Sequence, residues 1–180
     1  MKGCEDKGGQ VWIETVMYTL IALVMISAVM AYAIPRVEEI RDKSVISQSV
    51  NALKDINGVI LSAAQGGTGN KRIVELSVRK GEIIVDGKNN RINFTMETNY
   101  VYSELGKQIA TGNMNTLTEK SGGTNKVTLS SDYSQYDLTY GGKTDDVKSL
   151  QQSPTSYIIS VENKGKDISS GKIIVDISAD

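Results

Sequence analysis

The sequence predicts an α+β protein: a long N-terminal helix, membrane-spanning and then amphipathic, packed on a C-terminal antiparallel β-sandwich head. Three observations carry this. From Thr15 to Ile34 there is no charged residue, a run of 20 positions, which is roughly the length a helix needs to cross a bilayer. After Pro35, apolar residues recur at three- and four-residue steps as far as Ala64, the stripe of a helix with one buried face. From Gly67 onward the period shortens to two, and runs of Gly, Asn, Asp and Ser break the chain into short segments, the pattern of strands and tight turns.

Residues 10–34 form the first segment. It is apolar all round, with a single carboxylate, Glu14, at its mouth. Ala22, Ser27, Ala28, Ala31 and Ala33 are interleaved, and small residues let helices approach closely in lipid. Met17, Met25 and Met30 supply side chains that fill irregular gaps. Pro35 lacks an N–H and disfavours the α conformation at Ile34, so a kink or short break is expected there. Residues 35–66 form the amphipathic segment, with Val37, Ile40, Ile46, Val50, Leu53, Ile56, Ile60 and Ala64 on one side. Gly66-Gly67-Thr68-Gly69-Asn70 ends it. At least its C-terminal part, from Val50, is expected to cover one sheet.

The head, residues 67–180, reads as strands throughout. Val74, Leu76 and Val78 alternate with polar residues. Lys80-Gly81 turns into Glu82–Asp86, and Gly87–Asn90 turns into Ile92, Phe94 and Met96. Tyr100–Ser103 is expected to be another strand, and the Gly- and Thr-rich stretch 106–125 only a weak one, near Ile109 or Leu117. Further strands are expected around Val127–Leu129, Tyr136–Tyr140, Tyr157–Val161 and Ile173–Ile177.

Composition excludes several kinds of chemistry. There is no His, which removes the commonest general base and metal ligand. Cys4 is the only cysteine, so disulfides cannot hold the head. The net charge is −1, too small for a field that favours nucleic acid. No phosphate-binding Gly-rich loop or paired-His motif occurs. Asp132, Asp137, Asp145 and Asp146 are acidic neighbours, but their spacing matches no calcium loop, and solvated acids are expected. No enzyme and no cofactor is predicted. Asn93-Phe94-Thr95 is an N-glycosylation sequon on the polar register of its strand, so Asn93 is expected to be exposed.

The residues before the apolar run carry one more signal. A secretory signal peptide has its small-residue cleavage site after the apolar region. Here Gly8 and Gly9 precede it, within Lys7-Gly-Gly-Gln-Val-Trp-Ile-Glu14. This pattern resembles the class III signal peptide of type IV pilin-like proteins, and among them archaeal type IV pilins. The resemblance spans Lys7 to about Ala64. It implies a leader of residues 1–9, cut after Gly9 with Gly8 as the alternative, so that Gln10 becomes the first residue and Glu14 the fifth. Lys7 lies one place further from the cut than is common in the family, and Trp12 stands where a small polar residue is frequent. The resemblance further implies a membrane-anchored precursor with an extracellular head, later assembled into an extracellular filament of identical subunits that serves surface adhesion. A prepilin peptidase, a platform protein and an assembly ATPase are the partners it implies. Two alternatives stay open: a single-pass, membrane-tethered extracellular binding domain, and a minor pilin or pseudopilin of a secretion-like machine.

Overall fold

The computed structural model describes residues 7–144 and 146–179. One helix, α1 (Lys7–Gln65), precedes ten strands: β1 (Lys71–Leu76), β2 (Glu82–Asp86), β3 (Arg91–Thr98), β4 (Ile109–Thr111), β5 (Met114–Ser121), β6 (Thr124–Asp132), β7 (Tyr136–Tyr140), β8 (Val147–Gln151), β9 (Tyr157–Lys166) and β10 (Ile173–Ala179). The chain divides into two compact units, Met1–Arg41 and Asp42–Asp180. The boundary falls within α1.

In the first unit, α1 is helical from Lys7 onward and continues through Pro35 without a break. Every residue from Val11 to Tyr32 is exposed. The Ser and Thr hydroxyls on this stretch bond within the helix: Thr15 to the Val11 carbonyl at 2.9 Å, Thr19 to Thr15 at 2.7 Å and Ser27 to Leu23 at 2.7 Å. They therefore present no unsatisfied donor to an apolar medium.

In the second unit, the α1 residues Ile46, Leu53, Ile56, Ile60, Ala63 and Ala64 are buried in one core with residues of both sheets. The buried stripe starts at Ile46 and takes in the part from Val50 expected at the least. Val37 and Ile40, counted in the stripe on periodicity, are exposed. One sheet has the order β1-β9-β10-β7 and the other β4-β5-β6-β3-β2-β8. The pairings are antiparallel except that of β10 with β7, which is parallel. The register of the larger sheet lines up a continuous inward row: Thr116, Leu129, Phe94, Ile83 and Leu150 are successive cross-strand partners. Such neighbours lie about 4.5–5.5 Å apart at Cβ, so side-chain packing runs across the sheet.

Three differences from the sequence reading have physical causes. Tyr100–Ser103 is not a strand. The Tyr100 amide donates to Thr98 Oγ1 at 2.9 Å and the Ser103 amide to Thr118 Oγ1 at 3.2 Å, so side chains satisfy what a ladder would have. The stretch 106–125, expected to be weakly structured, holds β4 and the eight-residue β5. Here Thr116 and Thr118 turn inward as core residues, and Thr is a β-branched strand former. The strand β8 has almost no apolar signal, since only Leu150 of its five residues is buried. It exists because β2 offers it an unpaired edge. Between β1 and β2, Gly81 has φ +81° and its missing Cβ would lie 2.3 Å from the Thr95 carbonyl oxygen. Only glycine fits there.

Two polar groups fasten the helix to the sheets. A bulge at Ile174/Val175 in the β9–β10 ladder adds an unpaired residue to β9, and Gly165 takes φ +95° beside it. Bulges re-aim side chains. Asn163, 2% exposed, points inward and its Nδ2 donates to the carbonyls of Ala63 and Ala64 at 3.2 and 3.0 Å. These are among the last carbonyls of α1, which have no partner within the helix. The Asn163 Oδ1 accepts the Gly165 amide at 2.8 Å. At the other end of the buried stripe, the Asp42 carboxylate accepts from Lys80 Nζ at 2.5 Å and from Thr98 Oγ1 at 2.6 Å.

Candidate functional site

The first unit holds the features that the sequence singles out. Trp12 and Tyr32 are 69% and 70% exposed. They stand 20 residues apart, about 30 Å at 1.5 Å per residue, the thickness of a bilayer's hydrocarbon core. Aromatic side chains favour the two membrane interfaces. Beyond Tyr32, the Arg36 guanidinium lies 5.9 Å from the Tyr32 ring centroid and bonds Glu39 at 3.0 Å. The helix is long and apolar enough to cross a membrane, and its most apolar stretch is not buried by the rest of the described residues.

Gly9 lies in α1, and a Cβ added there would meet nothing within 4 Å. A helical glycine costs about 1 kcal/mol relative to alanine. Neither packing nor backbone conformation asks for glycine at this position. Gln10 and Glu14 follow within the same helix, and Glu14 is exposed, one turn on from Gln10. Met1 to Asp6, Cys4 among them, which the resemblance assigns to a leader, lie outside the described residues.

In the head, Asn93 falls on the outward register of β3, as expected, but it is half-buried rather than exposed. Its strand is hydrogen-bonded on both sides, to β2 and to β6. Its Oδ1 is buried and makes no hydrogen bond. Asn93, Arg91, Gln108, Asn115, Leu117, Thr128 and Ser130 line a cleft of about 340 Å³ on the outer face of the larger sheet. Sequence reasoning missed this cleft. Its polar residues alternate with core residues along three strands and give no local motif; only the cross-strand register brings them together.

The acidic neighbours do not converge. Asp132 accepts the Ser134 amide at 3.0 Å, Asp137 accepts the Ser170 hydroxyl, and the Asp146 carbonyl accepts the Gly87 amide at 3.1 Å. Asp145 lies outside the described residues. Among the described residues there is no group of three His, Cys, Asp or Glu that could hold a metal ion.

No protein-family model matches this chain, and neither a curated protein nor a solved structure is detectably similar to it.

Proposed function

We propose that this chain is a structural subunit of an extracellular type IV pilus-like filament of archaeal type. In this reading a prepilin peptidase cuts it after Gly9, the helix holds it in the membrane, and a platform protein and an ATPase then drive its assembly with identical subunits. The observation that supports this most is the helix from Val11 to Tyr32, apolar all round and exposed along its whole length. Such a surface is stable only in lipid or against other helices, and a subunit that passes from membrane to filament core meets both conditions in turn. The interleaved Ala22, Ser27, Ala28, Ala31 and Ala33 permit close helix approach in either setting. Gly9, with open space where a Cβ would stand, suits a peptidase that must approach the backbone closely.

Glu14 has a defined role in this scheme. Cleavage after Gly9 creates an α-amine on Gln10, cationic at neutral pH. In a filament core, that amine of an incoming subunit meets Glu14 of its neighbour, neutralises it and fixes the axial register. Removing one partner of a buried pair costs about 3–5 kcal/mol. Glu14→Ala is therefore expected to insert and be cleaved as wild type, yet to give few or no filaments by electron microscopy and pelleting. Filaments in normal number would reject the register role. Failed cleavage would place Glu14 in peptidase recognition instead.

A further inference from the structure

The cleft on the outer face of the larger sheet is unlike the rest of the surface. Asn93, Ser130 and Asn115 are cross-strand partners on three adjacent strands. At about 4.8 Å between strands they span roughly 10 Å. Thr128 and Leu117 form the next outward row, also as partners, about 7 Å along the strands. Gln108, in the segment leading into β4, and Arg91, at the start of β3, complete the lining. The polar side chains here form no hydrogen bond with another group among the described residues, whereas the adjoining outward residue Glu82 is taken up by Thr95 at 3.3 Å and Ser149 at 2.6 Å.

We infer that this cleft binds a single hexose ring of a glycan. Asn, Gln, Ser and Thr side chains both donate and accept hydrogen bonds, which matches ring hydroxyls that do the same. Leu117 offers an aliphatic surface for the C–H face of the sugar. A volume of about 340 Å³ sits at the small end of ligand cavities, about 300–1,000 Å³, and is room for one ring. Arg91 is the only cation in the lining and has Asp132 as its cross-strand partner, so the site has no field that would select a phosphate or nucleotide. No aromatic side chain lines it, which leaves no stacking platform for a base. The inference is independent of the filament reading, because the cleft belongs wholly to the head.

The test uses the full chain in a zwitterionic micelle whose detergent has no sugar headgroup. Glucose, galactose, mannose and N-acetylglucosamine are added separately at millimolar concentration, and the side-chain amide signals of Asn93, Gln108 and Asn115 are followed by NMR. At least one sugar is expected to shift these signals saturably, and Gln108→Ala and Asn115→Ala, neither of which removes a protein hydrogen bond, should each weaken that binding several-fold. No saturable shift with any of the four sugars would overturn the inference, as would binding that both variants leave unchanged. A native mass with a glycan attached at Asn93 would also overturn it, since the amide would then be covalently committed.

Discussion

Asn163→Ala should unfold the head at a markedly lower temperature, and the size of the effect follows from three hydrogen bonds. The substitution deletes two bonds donated to the Ala63 and Ala64 carbonyls and one accepted from the Gly165 amide. Each intramolecular bond contributes about 0.5–1.5 kcal/mol net, with more lost when the abandoned partner stays buried. Asn163 is 2% exposed, so water reaches the orphaned Ala64 carbonyl poorly, while the Ala63 carbonyl keeps the Gly66 amide at 3.2 Å, and the total is about 3 kcal/mol. For a unit the size of Asp42–Asp180, this corresponds to a fall of roughly 10 °C in Tm. The assay is thermal unfolding of the fragment Pro35–Asp180, followed by circular dichroism. Asn163→Asp is the decisive companion. It keeps the shape and the acceptor for Gly165 but aims a carboxylate oxygen at two carbonyls. The Asp variant should be at least as unstable as the Ala variant. An Asp variant within a degree or two of wild type would refute the account, because Asn163 would then only fill space.

Two further outcomes are expected. Burial pushes the Tyr133 phenol up to about 12, against an ordinary value of 10; Ser131 and Asn113 stand near it, but the hydroxyl makes no hydrogen bond of good geometry. Because desolvation raises the folded value, stability is unaffected by this group below pH 10 and falls by about 2–3 kcal/mol as pH rises from 10 toward 12, where the unfolded phenol ionises and the buried one does not. Tyr133→Phe should leave stability at neutral pH unchanged or slightly higher, and urea unfolding across the alkaline range should show a flatter decline; an equally steep decline would count against it. A fragment that begins at Ser44 omits Asp42, which is 6% exposed and holds Lys80 and Thr98. It should be less stable than the Pro35 fragment by about 1–3 kcal/mol, the lower figure reflecting that Lys80 remains half in water, and equal midpoints would contradict the clamp.

The helix and most strands were legible because their signals are local. Thr15–Ile34 is uncharged, the stripe after Pro35 repeats every three or four residues, and Ile92, Phe94 and Met96 alternate with polar residues. What escaped was set by partners distant in sequence. β8 is specified by the free edge of β2 rather than by its own side chains. The Thr-rich β5 reads as polar, yet its Thr116 and Thr118 are buried against neighbours on β6. Tyr100–Ser103 carries strand-forming residues, but hydroxyls of Thr98 and Thr118 take its amides. The parallel pairing of β10 with β7 leaves no mark on either strand's pattern. The candidate site divides in the same way. Gly9, Gln10 and Glu14 are neighbours in one stretch of the sequence, and α1 carries all three. The cleft around Asn93 depends on the register of β3, β5 and β6, and no short-range pattern encodes it.

The filament account stands most directly on how the native chain begins. Mass spectrometry of the N-terminal peptide from membranes and from sheared surface material should find a chain starting at Gln10, or one residue earlier at Gly9 if Gly8 is the cut site. Gly9→Val, which the fold accommodates because nothing lies within 4 Å of the added Cβ, should leave the precursor uncut. A native chain that retains Met1 and the leader would contradict the account and leave a membrane-tethered head as the reading.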